Sequence, residues 1–235
     1  MSCFRKADNF ALKPDKTCLN FVGMIPQTLK QKILILLFFT ILIVSLSMII
    51  VAITTKKNAI DYQAIASQLH NGDIIFRRGH SVESRAVLLY DQQKEFSHVG
   101  MVYFQNNQAN VIHAVPYKTK EKEYVKKETL KNFLSPKNAS NFAVYRPQIE
   151  SNKKLKLAQQ ALYFYQNKIV FDNNYNLQTN NEMYCTELIL KAFQRADIPL
   201  GDMRETTINL IFKKHNILMP STLQKSKSLK RIIIQ

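Results

Sequence analysis

Residues Ile33 to Ile53, ILILLFFTILIVSLSMIIVAI, form an apolar run of 21 residues without a charge, proline or glycine and with three hydroxyl side chains. At about 1.5 Å per residue, a helix of this length crosses the roughly 30 Å hydrocarbon core of a bilayer. A buried core helix seldom runs so far without a polar face. The apolar region of a cleaved signal peptide is shorter, at roughly 7–15 residues. Here 32 residues precede the run, and no small-x-small cleavage site directly follows it. The run therefore predicts an uncleaved transmembrane signal anchor over 33–55, a short basic segment at 1–32 and a folded domain at 58–235.

Flanking charge predicts the orientation. Arg5, Lys6, Lys13, Lys16, Lys30 and Lys32 precede the run, whereas only Lys56 and Lys57 directly follow it. The positive-inside rule then places 1–32 in the cytoplasm and the domain outside it, on the periplasmic side in a Gram-negative envelope. Residues 56–235 hold 27 basic and 15 acidic side chains. On an exported domain this surplus fits anionic cell-wall polymer or lipid headgroups rather than nucleic acid. Much of it gathers in a basic C-terminal tail, where Lys213, Lys214, Lys225, Lys227, Lys230 and Arg231 follow the last acidic residue, Glu205. Three cysteines cannot build a disulfide scaffold. Cys3 and Cys18 fall on the cytoplasmic side, where thiols stay reduced, and Cys185 stands alone in the exported domain as a candidate reactive thiol.

Periodicity and turn residues sketch the domain. A short helix is predicted over 58–70, with Ile60, Ile65 and Leu69 facing the core. Gly72-Asp73 turns the chain into a strand at Ile74–Arg77, and residues 81–91 are helical. Ser97–Phe104 and Asn110–Val115 alternate as a hairpin around a polar turn at Gln105–Gln108, and Phe142–Tyr145 is a further strand. Lys153–Gln166 is a helix with Leu155, Ala158, Ala161, Leu162 and Tyr165 on its apolar side. Residues 171–181 form a loop, and Cys185–Ala196 is a second helix, ended by Pro199 and Gly201. This mixture predicts an α+β fold with an antiparallel sheet packed with helices.

Cys185 falls in the first turn of its helix, where the dipole and free amides favour a thiolate and can stabilise an oxyanion. It also shares a face with Leu188, Ile189 and Ala192, as a small buried residue would. A thiol nucleophile needs a base, and the base an orienting partner. A hairpin centred between Gln105 and Asn106 sets His98 directly opposite His113, with Cβ atoms roughly 4.5–5.5 Å apart. Gly100, on the same face, leaves room for a ring.

These motifs resemble a known family. Ser97-His98-Val99-Gly100-Met101-Val102 followed by Val111-Ile112-His113-Ala114 is similar to the histidine hairpin of NlpC-type papain-like cysteine hydrolases. Gly72-Asp73-Ile74-Ile75-Phe76 resembles the strand before that hairpin. Tyr184-Cys185-Thr186-Glu187-Leu188 resembles the nucleophile motif of the circularly permuted branch, the YiiX/YebB-like proteins, in which histidine precedes cysteine as here. The likeness covers residues 62–200 and implies a permuted papain-like fold. It also implies Cys185 as nucleophile, His98 as base and then acid, and His113 as the orienting residue. Some permuted members carry a carboxylate where His113 falls. The resemblance further implies a tyrosine at the oxyanion site, either Tyr184 or Tyr175.

The expected function is a membrane-anchored thiol hydrolase, an amidase or peptidase, that cleaves an amide or ester through an acyl-enzyme, with cell-wall peptides as the first substrate class. Lipid acyl transfer or deacylation of the lecithin:retinol acyltransferase-like type is the alternative, because Val111-Ile112-His113-Ala114-Val115-Pro116 also resembles the second histidine strand of that group. Tyr-Cys-Thr-Glu at the nucleophile departs from that group's Asn-Cys-Glu-His. A non-catalytic module held at the membrane is the third reading. Arg77, Ser84 and Arg85 are candidates for holding an anionic substrate group, against an ordinary solvated face. His70, His80 and His215 read as surface residues. One exported cysteine and two candidate histidines fall short of a structural zinc site, so no metal or other cofactor is expected.

Overall fold

The apolar run is helical. In the computed structural model, which describes residues 27–57, 60–116, 124–210 and 213–234, helix α1 spans Gln27–Lys57. Within its stretch Thr28–Val51, an 18-residue window reaches a mean hydropathy of 3.1 and is unburied. The hydroxyls of Thr40, Ser45 and Ser47 donate back to the carbonyls of Leu37, Leu42 and Val44. These three hydroxyls are thus satisfied within the helix, as an apolar medium requires. Cys3, Cys18 and most of the segment at 1–32 lie outside the described residues.

The chain divides into two compact units, Met1–Ile60 and Asp61–Gln235. The second holds α2 (Tyr62–Ala66), β1 (Ile74–Arg78), α3 (Val82–Tyr90), β2 (His98–Gln105), β3 (Gln108–His113), β4 (Lys126–Thr129) and α4 (Leu130–Phe133). It continues with β5 (Asn141–Pro147), α5 (Ser151–Gln166), α6 (Cys185–Ala196), β6 (Thr206–Leu210), β7 (Lys213–Ile217), α7 (Pro220–Gln224) and β8 (Leu229–Ile234). Six strands form one sheet in the order β4-β3-β2-β1-β5-β8, with antiparallel pairing throughout. β6 and β7 make a separate hairpin. Helices α5 and α6 pack on each other and against β2. The core between them joins Ile74, Phe76, Val99 and Met101 of the sheet to Leu157, Ala161, Leu188 and Phe193 of the helices. This is an α+β fold preceded by one apolar helix.

The Gly72-Asp73 turn anchors the sheet. Asp73 is fully buried and accepts bonds from Arg146 Nε and Nη2 at 2.9 and 2.7 Å and from the His70 amide at 2.8 Å. The bidentate pair ties the start of β1 to β5, its neighbour in the sheet.

Three expectations change in detail. The β2–β3 hairpin turns at Asn106-Asn107, both left-handed with φ of 50° and 60°, a two-residue turn matched to strand twist. Its register pairs Gln105 with Gln108 and Met101 with Ile112, two residues from the one expected. In α5, Leu155 is exposed, and Leu157, Ala158, Ala161 and Phe164 are the buried residues. Helix α6 ends at Asp197, left-handed at φ 57°, before Pro199 and Gly201 are reached. The basic stretch after Glu205 is also no free tail. Its end folds as α7 and β8, and Arg231 Nη2 lies 2.6 Å from Glu95 Oε1.

Candidate active site

Four neighbouring strands and one helix end converge on one place. His98 opens β2, His113 closes β3, Glu128 lies on β4, Arg77 lies on β1 directly across from His98, and Cys185 is the first residue of α6. His98 and His113 are diagonal rather than directly opposed, because continuing the observed ladder puts His113 opposite Gly100. A shift of two residues keeps both side chains on the expected face. Gly100 makes the meeting feasible. A Cβ there would lie 3.1 Å from His113 Cβ and 2.5 Å from Val111 Cγ1. The rings meet, with His98 Nε2 2.8 Å from His113 Nδ1.

The line continues to a carboxylate that the sequence reading did not identify. His113 Nε2 lies 3.0 Å from Glu128 Oε1, although the N–H direction is poorly aligned for a hydrogen bond. A carboxylate at that distance selects the His113 tautomer protonated on Nε2. Nδ1 of His113 then accepts from His98 Nε2–H, and His98 Nδ1 is left as a bare base. Phe133 of α4 supports the group: His98 and His113 pack on its ring at 5.8 and 5.1 Å, and the Arg77 guanidinium lies over it at 4.3 Å. Arg77 also donates to the Phe133 carbonyl at 2.9 Å and stands 3.7 Å from Glu128 Oε1.

The electrostatics keep the two histidines and the Cys185 thiol neutral at rest, between the charges of Arg77 and Glu128. Burial, then the nearby Arg77 charge and His113, push His98 well below the ordinary imidazole value. Burial also lowers His113, against the opposing pull of Glu128. Burial would raise the Glu128 carboxyl, but His113, Arg77 and Lys126 together hold it below the usual range. Burial pushes the Cys185 thiol up to about 11, although the backbone N–H groups of Val99, Thr186 and Cys185 itself and the Arg77 charge favour its thiolate. The amides at the helix end thus favour the thiolate as expected, but desolvation outweighs them.

The two tyrosines separate. Tyr184 is buried, and its hydroxyl accepts the Leu218 amide at 3.0 Å, a structural bond. Tyr175 is half-buried, left-handed at φ 55°, and stacks edge-on against Tyr184 at 5.4 Å and His215 at 5.6 Å. Burial and then the nearby Cys185 raise its phenol.

A cleft of about 420 Å³ opens onto Arg77, His98, His113 and Glu128 and includes Ser84, His80, Lys126 and Lys137 along its walls. Arg77 and Ser84 thus fall where expected, whereas Arg85 is exposed on α3 and does not line the cleft. His80 lines it rather than standing on an unrelated surface. Arg77 faces Glu128, His98 and Cys185, so its charge serves the site itself before any substrate. Glu128 is hard to read from sequence because Lys126-Lys127-Glu128-Thr129 has no apolar alternation. The only signal was that an orienting histidine wants an acceptor of its own.

Comparison with known proteins identifies the family and the fold. Residues 68–233 match the family model described as permuted papain-like amidase enzyme, YaeF/YiiX, C92 family. The uncharacterized protein YiiX of Escherichia coli (strain K12) is 28% identical over 135 residues, which is 57% of this chain and 61% of that protein. The chain thus matches less than two thirds of that relative's length. A crystal structure of metalloprotein yiiX from Escherichia coli O157:H7 shares the fold at a TM-score of 0.58 and 22% identity, over 72% of this chain and 98% of that one. Among the described residues of the present chain, no group of three or more His, Cys, Asp or Glu is placed to hold a metal ion.

Proposed function

We propose that this chain, which belongs to the YaeF/YiiX family of permuted papain-like amidases, is a thiol hydrolase held at a membrane by α1. The observation that carries the reading is the line Glu128–His113–His98, which leaves His98 Nδ1 free as a base on the strand that brings the Val99 amide to Cys185. As the Cys185 sulfur attacks an amide or ester carbonyl, its proton passes to His98 Nδ1. The charge that appears on His98 is relieved through His113 by Glu128. The carbonyl oxygen becomes an oxyanion, met by backbone N–H groups beside the sulfur and by the Tyr175 hydroxyl. Collapse expels the amine or alcohol, which takes the proton from His98. Water, deprotonated by the same nitrogen, then hydrolyses the thioester and regenerates the thiol.

A neutral resting pair suits this sequence of steps. The thiol is deprotonated as the substrate is attacked rather than standing as a permanent ion pair. The reading places the domain outside the cytoplasm and takes a peptide amide of the cell wall as the first substrate, with Lys126 and Lys137 facing its acidic groups. The test is mass spectrometry of the full chain in detergent after exposure to an activated amide or ester. An acyl adduct on Cys185 that is lost in His98→Ala is expected. A chain that never acylates, or acylates equally without His98, would overturn the reading.

A further inference from the structure

Helix α3 has no buried residue, yet it is fixed at both ends. Ser81 caps its first turn, Ser84 packs on Gly79, and Asp91, just past its last residue, accepts the Ser221 amide at 2.9 Å. A helix held in this way does not expose apolar side chains through fraying. Val82 is 77% exposed, Leu89 73% and Tyr90 40%. With Ala86 they fall on one face at the 82, 86, 89 and 90 spacing, and Arg85 flanks them. Ser81, Glu83 and Ser84 of the same helix line the active-site cleft.

We propose that this face of α3 lies in the headgroup layer of an anionic phospholipid membrane and brings the cleft to substrates at that surface. Three observations favour a membrane over a protein partner. Only three residues of chain separate Lys57, at the end of the apolar helix α1, from the unit that begins at Asp61. The exposed cations Arg85, Lys126 and Lys137 lie on α3 or along the cleft, and residues 56–235 as a whole carry the basic surplus noted above. A short helix with an apolar face and basic flank binds anionic lipid through both terms. The inference rests on reading α1 as a membrane anchor, and it does not require Cys185 to be a nucleophile.

The chain contains no tryptophan, so one indole reports one position. Full-length Leu89→Trp and, separately, Val82→Trp would be reconstituted into phosphatidylcholine–phosphatidylglycerol vesicles with brominated or plain acyl chains. Tyr163→Trp, on the exposed side of α5, serves as control. The expected result is blue-shifted emission that brominated chains quench for both α3 variants, more strongly with phosphatidylglycerol present, while the α5 control is unquenched. Equal emission in brominated and plain vesicles, or equal quenching of the α5 control, would overturn the inference. Repeating the measurement in a Cys185→Ala background separates the two readings, since quenching survives loss of the thiol.

Discussion

Glu128 Oε1 lies 3.0 Å from His113 Nε2, at the far end of the line that reaches His98. The contact fixes which His113 nitrogen carries the proton, and so which His98 nitrogen is basic. Glu128→Gln keeps the size but removes the charge that stabilises the imidazolium formed during attack. The expected loss in acylation rate is roughly 10²-fold, toward the lower end of what general acid–base assistance supplies. His98→Ala should lose more. An unchanged acylation rate in Glu128→Gln would show that His113 is oriented by something else.

Gly100 is where the fold makes room for that line. In Gly100→Ala the new Cβ would meet Val111 Cγ1 at 2.5 Å and the Ile112 carbonyl oxygen at 3.0 Å. Overpacking of this kind costs about 1–3 kcal/mol, so a lower midpoint in thermal or urea unfolding is expected. Val111 has to move most, and His113, whose Cβ would lie 3.1 Å away, has to give as well, so the acylation rate should drop with stability. Full activity in a destabilised Gly100→Ala protein would argue against His113 as the orienting residue.

Much of this site is legible in the sequence because its signals are local. Cys185 opens a helix with a strong apolar face, and the two histidines sit in alternating segments where parity fixes the face. An error of two residues in register left the pair together, whereas an error of one would have parted it. Glu128 and β8 were not legible for the opposite reason. A four-residue polar strand and a basic C-terminal stretch acquire their structure from long-range pairing with β3 and β5. Desolvation of the thiol likewise depends on what packs over the helix end, which helix propensity does not encode.

The neutral Cys185 thiol and His98 ring have a consequence for pH. The Cys185 thiol, near about 11 in the folded chain, has an ordinary value of about 8.5 when unfolded. Between those values the unfolded chain has lost a proton that the folded chain keeps, so stability falls as pH rises through that window. Cys185→Ala should flatten the fall, as measured by urea unfolding across the alkaline range. His98 acts in the other direction. Its folded value lies well below 6.5, so the unfolded chain binds a proton first, and stability is lost as pH drops below about 6.5. Acylation, which needs neutral His98, should persist to a pH below that of ordinary histidine.

Tyr184 and Tyr175 should respond differently to loss of the hydroxyl. Tyr184→Phe strands the buried Leu218 amide, at a cost of about 1–3 kcal/mol in stability. Tyr175→Phe breaks no hydrogen bond found among the described residues and should leave the unfolding midpoint nearly unchanged. If its hydroxyl meets the oxyanion, the acylation rate falls by up to about 10²-fold, as for one lost donor. Acylation by Tyr175→Phe at the full rate would remove this residue from the oxyanion site.

Behind the nucleophile, Glu187 is fully buried and accepts the Tyr184 amide at 3.1 Å, while Lys191 Nζ lies 2.8 Å from its other oxygen. Lys191 also donates to the Thr179 carbonyl, which ties the loop bearing Tyr175 to α6. Burial raises the Glu187 carboxyl to about 7, although Lys191 pulls it down. Lys191→Met leaves that carboxyl buried without its cation, a change that costs about 3–5 kcal/mol when the charge persists. Glu187 can avoid the charge by keeping its proton. The penalty in Lys191→Met should therefore be smaller in acid and grow as pH rises above about 7. The double variant Glu187→Gln/Lys191→Met should recover most of the loss at high pH. Urea unfolding at several pH values measures both, and a penalty independent of pH would mean that Lys191 stabilises the loop through Thr179 rather than through Glu187.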